Sequence, residues 1–423
     1  MTLTAPLDAA LTTDTSNNIS TSDMSSFASS SSSALLKVHD LRTHFATDRG
    51  ELRAVDGVSF SLDHGSTIGI VGESGSGKSV TVRSIMNILP RNVGLQAGEV
   101  IFEGEDIQNL TGPEAKHFWG VKMSMIFQDP MTSLNPVVKV GRQITESLRY
   151  HLKMSRPEAS ARALELLELV GIPEARRRLS EYPHQLSGGM CQRITIAIAL
   201  SCQPKLLIAD EPTTALDVTV QKQILDLLDR LQIDQKMAMI LITHDLGVVA
   251  GRADEIAVMY AGRIVEKAAT TDLFASMRHP YTQALFESIP KIEHRSHTRL
   301  RAISGQPPDM TNLPTGCSFS PRCRYAQERC LTEKPPLEAD PVNTNRSYAC
   351  FYPVNTPAGE EALSVNIKHG KSAAGLDMSR EGLDGRGLSG DGIDGGGLID
   401  GGDGIDGGGL GEMADEDLEG MDG

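Results

Sequence analysis

The feature that most constrains this chain is Gly72-Glu73-Ser74-Gly75-Ser76-Gly77-Lys78-Ser79, which fits G-x-x-x-x-G-K-[ST]. Just before it runs Thr67-Ile68-Gly69-Ile70-Val71, short, apolar and β-branched, the pattern of a buried strand. Just after it, residues 79–86 read as a helix. Strand, glycine loop and helix in that order make a cradle for phosphate. The glycines let backbone N–H groups close around phosphate oxygens, and the helix N-terminus adds a favourable dipole. Lys78 is then placed to reach β- and γ-phosphates, and the Ser79 hydroxyl to ligate Mg²⁺.

A second element of the same site follows 132 residues after Lys78. Leu206-Leu207-Ile208-Ala209 is an apolar strand that ends in Asp210 and Glu211. A buried strand puts its terminal acid at the carboxyl edge of the sheet, where ligands of α/β folds bind. Asp210 would hold Mg²⁺ through water, and Glu211 would polarise an attacking water as general base.

The rest of the chain alternates strands and helices, which implies a parallel sheet covered on both faces. Strands are predicted at residues 35–38, 54–62, 98–104, 121–127, 205–209 and 237–242. Residues 256–259 and 262–266 are expected as edge strands. Helices are predicted at 190–200, 218–231 and 246–251. Ala163, Leu164, Leu166, Leu167 and Val170 make one helical face over 159–170, within a helical insertion from about 130 to 186. Pro157 precedes that helix and Gly171 stops it. Residues 1–34, rich in Ser and Thr, are expected to be disordered.

Net charge is −15 over 423 residues, but it is uneven. Residues 371–423 hold 14 Asp/Glu against 3 Lys/Arg, a net of −11, so the remainder carries only about −4. No basic cluster points to nucleic acid. The tail, 356–423, is expected to be disordered; the calcium-binding pattern faintly present at Gly401-Gly402-Asp403-Gly404-Ile405-Asp406 does not repeat. No apolar run approaches the roughly 18–20 residues of a membrane helix, and no secretory signal is visible. An intracellular chain is expected, with any membrane spans supplied by a partner. Cys317, Cys323, Cys330 and Cys350 cluster near the C-terminus, which in such a chain favours a metal over disulfides. Their spacing admits a zinc site or an iron–sulfur cluster. Cys191 and Cys202 flank a predicted core helix and are expected to be plain packing.

Between the two phosphate-site elements lies Leu186-Ser187-Gly188-Gly189. Here the chain resembles the ATP-binding cassette (ABC) ATPases, whose LSGG signature faces the γ-phosphate held by a second cassette. The resemblance implies two ATP molecules sandwiched between two cassettes, and one copy here implies another elsewhere, identical or paralogous. It also implies roles for further residues. Gln128 corresponds to the Q-loop glutamine, touching Mg²⁺ or the attacking water. Asp217 lies in the D-loop, with Thr214 where Ser is common. His244 corresponds to the switch histidine, and Phe45 is the nearest upstream aromatic for stacking on adenine.

The stretches GESGSGKSV (72–80), DPMTSLNP (129–136) and HPYT (279–282), with GQPP (305–308) and the cysteines, resemble the peptide/nickel branch of ABC importers. That branch implies two membrane permeases, an external solute-binding protein, and a place at the cytoplasmic face of the inner membrane. It also favours a [4Fe–4S] cluster over zinc. The expected fold is an α/β P-loop NTPase cassette over 35–290, with a mixed sheet, an antiparallel β subdomain and a helical subdomain. A Cys-rich extension follows over 291–355. The competing functions are a soluble ABC ATPase of translation or DNA repair and a non-hydrolysing regulatory partner. The first usually carries two cassettes or a long coiled coil, and Glu211 speaks against the second.

Overall fold

The computed structural model describes residues 34–90, 93–214, 216–289 and 303–378. The Ser/Thr-rich segment up to residue 33 and the Gly/Asp-rich stretch from 379 lie outside them. In chain order the strands are β1 (Leu36–Thr47), β2 (Gly50–Leu62), β3 (Thr67–Val71), β4 (Val93–Phe102), β5 (Glu105–Asp106) and β6 (Met123–Ile126). They continue with β7 (Leu206–Asp210), β8 (Ala238–Thr243), β9 (Glu255–Tyr260), β10 (Arg263–Ala269), β11 (Glu338–Ala339) and β12 (Ser347–Tyr348).

Two sheets result. An antiparallel sheet runs β2-β1-β4-β5, and a mixed sheet runs β11-β12-β10-β9-β3-β8-β7-β6. Neighbours from β6 through β9 are parallel, and those from β9 to β11 antiparallel. The central strands alternate between two cores, as a period of two requires. Ile68, Ile70, Ile208, Ile240 and Ile242 pack toward the antiparallel sheet with Leu36, Val58 and Phe102. Val71, Leu207, Ala209, Met239 and Leu241 pack on the other side with the helices and with Phe319 of the extension. Gly69 shares the face of Val71, and a Cβ there would lie 2.8 Å from Val249 Cγ1, too close for a larger residue without a shift.

Residues 130–186 hold the helices Pro130–Ser133, Val140–His151, Arg156–Leu169 and Ala175–Arg178. The longest has 14 residues, which leaves no coiled-coil arm. Its start is a capping box between Ser155 and Glu158, so Pro157 lies inside the first turn rather than before it.

Three expectations need correction. β9 is not an edge strand but lies between β3 and β10, because β10 returns antiparallel and is itself covered by β12 from the extension. The helix expected over 246–251 is a single turn, Leu246–Val249. The acidic tail does not begin at 356: Pro357–His369 is a helix, capped by Thr356 at one end and left-handed Gly370 at the other. Ala362 is buried there, and Asn366 donates to the carbonyls of Arg324 and Ala326 at 2.8 and 3.0 Å.

Candidate nucleotide site

The loop from Gly72 to Ser79 joins β3 to the helix Lys78–Ile85. Its shape depends on closeness to other backbone. A Cβ on Gly77, at φ +102°, would stand 2.2 Å from the Ala54 carbonyl oxygen. One on Gly72 would stand 2.2 Å from that of Met259. Gly262, in the β9–β10 turn, donates its N–H to Ser76 O at 2.9 Å and pins the loop from outside. Ser74 and Gly75 are exposed. The Ser76 hydroxyl is buried without a hydrogen-bond partner.

Lys78 is buried, and its ammonium donates to the carbonyls of Gly72 (2.8 Å) and Glu73 (3.0 Å). Burial pulls its pKa down, against the nearby Glu211 and Asp210. Ser79 donates to Asp210 Oδ1 at 2.7 Å. The other Asp210 oxygen is buried without a hydrogen bond, and the nearest cation, Arg83, is 3.9 Å away. Burial accordingly pushes the Asp210 carboxyl up. A hydroxyl and a carboxylate oxygen side by side, the carboxylate under-satisfied, form a donor set of the oxygen type that Mg²⁺ takes.

Glu211 follows at φ +46°, a conformation that non-glycine residues seldom adopt. Its N–H donates to Ile242 O at 3.0 Å, which holds the turn. The carboxylate is thereby presented to the site: it accepts from Gln128 Nε2 (2.9 Å) and from the Thr214 hydroxyl (3.0 Å), and lies 3.8 Å from Lys78 Nζ. His244 Nδ1 is 3.7 Å from Glu211, and its side chain is well exposed. Six of the expected residues, Lys78, Ser79, Gln128, Asp210, Glu211 and His244, thus meet at the carboxyl ends of β3, β6, β7 and β8.

Leu186, Ser187, Gly188 and Gly189 do not join them. Ser187 and Gly188 are exposed at the start of the helix Gly188–Ala199, where Ser187 caps by accepting from Met190 N–H. Asp217 caps the next helix, Val218–Gln235, by accepting from Val220 N–H. The two helix starts pack on each other, since a Cβ on Gly189 would stand 2.8 Å from Val220 Cγ1. Phe45, expected near adenine, is half-buried on β1.

Two residues that the sequence did not single out for the site also reach the loop. The Tyr281 hydroxyl accepts from Glu73 N–H at 2.8 Å. The Arg322 guanidinium pairs with both Glu73 carboxylate oxygens at 2.6 and 2.9 Å. The HPYT stretch contains Tyr281, and its spacing is that of a capped helix start: His279 Nδ1 accepts from Tyr281 N–H, which aims the ring.

Cys317, Cys323, Cys330 and Cys350 line one small cavity with Phe319, Tyr325 and Phe351. All four are free thiols. Burial pushes Cys317 up to about 11, and Cys323, Cys330 and Cys350 upward too; facing thiolates add to the rise at Cys323 and Cys350. Among the described residues, no group of three His, Cys, Asp or Glu side chains is placed to hold a metal ion. Cys191 and Cys202 are buried, Cys191 inside the helix Gly188–Ala199 rather than beside it.

A P-loop on a mixed sheet, with an antiparallel sheet on one side and a helical insertion, defines an ABC-type ATPase cassette. The ABC transporter family model matches residues 55–214, and the oligopeptide/dipeptide transporter C-terminal region matches 265–330. The chain is 53% identical over 304 residues to the oligopeptide transport ATP-binding protein OppD of Bacillus subtilis, covering 72% of this chain and 85% of the relative. It is 48% identical over 336 residues to OppD of Salmonella typhimurium, covering 79% and 99%. Among solved structures, the dimeric ATP-binding cassette MJ0796 in a post-hydrolysis state with ADP and Pi superimposes with a TM-score of 0.50. It is 27% identical, covering 56% of this chain and 98% of that one. The chain belongs to the ATP-binding subunits of ABC transporters, in the oligopeptide/dipeptide branch. It is an ATPase, and the family works on ATP with Mg²⁺. No described helix is long and apolar enough to cross a membrane.

Proposed function

We propose that this chain binds and hydrolyses ATP to power an importer of oligopeptides, dipeptides or related solutes such as nickel. The observation that carries the reading is the placement of Glu211, held by Gln128 and Thr214 within 3.8 Å of the Lys78 ammonium. On ATP binding, Lys78 leaves the two loop carbonyls for the β- and γ-phosphates. The N–H groups around Ser74–Lys78 close on the phosphate oxygens. Ser79 and Asp210, with Gln128 near, would hold Mg²⁺, which would neutralise triphosphate charge. Glu211 takes a proton from the attacking water, and His244 stands beside it for the γ-phosphate.

The site is half of a functional one. Leu186, Ser187, Gly188, Gly189 and Asp217, at the starts of two packed helices, are assigned to the triphosphate of a second ATPase subunit, identical or paralogous. Two permeases in the inner membrane and an external solute-binding protein complete the assembly, with this chain at the cytoplasmic face. Phe127, Met131 and Val137, exposed by 42%, 50% and 79% around and after Gln128, are the apolar surface offered to a permease. Replacing Met131 and Val137 with Asp is expected to cut permease-stimulated ATP turnover and peptide uptake by about tenfold or more. Unstimulated turnover stays as it was. Uptake at the wild-type rate in reconstituted vesicles would place the contact elsewhere.

The four cysteines are proposed to hold a [4Fe–4S] cluster, with zinc as the alternative. Support comes from their shared apolar cavity, which buries thiols that repel one another as thiolates unless a cation joins them. Cys317, Cys323, Cys330 and Cys350 would hold the cluster through their thiolates, and the cluster would supply electron-transfer chemistry or a staple for the extension. Protein purified without oxygen is expected to contain iron and acid-labile sulfide, and Cys323→Ser to lose both. Stoichiometric zinc in place of iron overturns the assignment.

A further inference from the structure

Arg322 connects the extension to the phosphate loop through one side chain. It closes the 3₁₀ turn Ser320–Arg322, immediately before Cys323. The side chain is only 3% exposed. Beyond its bidentate pair with Glu73, it donates to Ser304 O at 2.8 Å and to the Tyr260 hydroxyl at 3.4 Å. Gly305 of the GQPP stretch leaves room for it: at φ +76°, a Cβ there would stand 3.2 Å from Arg322 Cγ. On the other side, Glu73 is gripped twice, by Arg322 at the carboxylate and by Tyr281 at the N–H. The Glu73 N–H is then not free for a phosphate, although the residue lies inside the phosphate-binding motif.

We propose that Arg322 is a positioning residue for ATP binding: it braces the first half of the phosphate loop from the cysteine-rich extension. Gly72 and Glu73 carry the two carbonyls on which Lys78 rests. A planar, bidentate guanidinium fixes the plane and position of the Glu73 carboxylate in a way an ammonium cannot. With Tyr281 holding the N–H, Glu73 has two anchors on separate elements, and the loop keeps its open shape before nucleotide arrives. Arg322 touches neither Asp210 nor Glu211, so it acts on binding and not on the hydrolytic step. The extension thereby becomes part of the nucleotide site, and the turn that carries Cys323 also carries its brace.

The proposal rests on residues 72–79 being the nucleotide loop, and the test separates the two. ATP is titrated by calorimetry into the full chain and its Arg322→Ala, Arg322→Lys, Glu73→Gln, doubly substituted Glu73→Gln/Arg322→Ala and Lys78→Ala variants. Lys78→Ala reports on the loop itself; unchanged affinity there would sink the loop assignment, whatever Arg322 does. For the brace, Arg322→Ala and Glu73→Gln are each expected to weaken ATP by about tenfold, modest for a misplaced binding group. The double variant is expected to be no weaker than the worse single one, because both remove the same pair. Arg322→Lys is expected to recover part of the loss. In the assembled transporter, KM for ATP rises while kcat stays within about twofold. Should Arg322→Ala fail to fold, Glu73→Gln carries the same expectation. Affinity unchanged in Glu73→Gln, losses that multiply in the double variant, or a fall in kcat at constant KM would each overturn the brace.

Discussion

Glu211→Gln is expected to slow ATP hydrolysis by about 10²- to 10⁴-fold, the range a positioned general base contributes, and to leave ATP binding intact. The substitution keeps the size of the side chain and one oxygen for Gln128 or Thr214 to donate to. It removes the ability to accept a proton from water. Glu and Gln both bear the left-handed backbone at φ +46°, so folding is not the variable. The phosphates remain with Lys78 and the loop, which the substitution does not touch. Single-turnover hydrolysis, with ATP affinity measured on the same preparation, checks the result. Turnover at the wild-type rate would refute the role of Glu211 and leave Gln128 and His244 as the groups near the water.

Gly77→Ala is expected to destroy both the loop and much of the stability of the cassette. The methyl would be driven to 2.2 Å from the Ala54 carbonyl oxygen, at a backbone φ of +102°. Strain of that kind costs about 1–3 kcal/mol before the clash is counted. The neighbour is strand backbone in β2 and cannot move aside as a side chain could. A total of about 3 kcal/mol or more lowers Tm by at least about 6 °C, taking 2–4 °C per kcal/mol for a domain of moderate size. Gly75→Ala is the control. It too has positive φ, at +80°, but a Cβ there meets nothing within 4 Å. It is expected to cost only about 1–2 kcal/mol. Thermal unfolding of the two variants side by side separates the clash from the strain; equal melting temperatures would show that the Ala54 contact is not the cause.

The elements legible in the sequence were those whose pattern is local. β3 has the bounds its apolar run predicts, because Gly72 ends it and both its neighbours are buried strands. β1 was read as four residues and is 12 long. Its outer half contains Arg42, Thr43 and His44, polar residues that look like loop until β4 pairs with them from the far side. The helix Pro357–His369 had its caps in plain sight, Thr356-Pro357 before and Gly370 after, but the acidic composition that follows masked them. β9 looked like an edge because nothing in a run of apolar residues tells which strands lie beside it.

The chemistry of the nucleotide site was written into short contiguous stretches. Backbone N–H groups of a glycine loop, the hydroxyl of Ser79, and two acids ending a strand need only local geometry to acquire their roles. The sequence alone therefore determined which residues the fold gathers at the carboxyl ends of β3, β6, β7 and β8, the set proposed to receive the triphosphate. What encloses the loop was decided only by the tertiary structure. The carbonyls of Ala54 and Met259 arrive from β2 and β9, and Tyr281 and Arg322 arrive 208 and 249 residues away from Glu73. Such contacts follow from the order of strands in the sheet and from the return of the extension as β11 and β12. Periodicity reports which face of an element is buried, but a bidentate ion pair forms only where folding brings its two partners together.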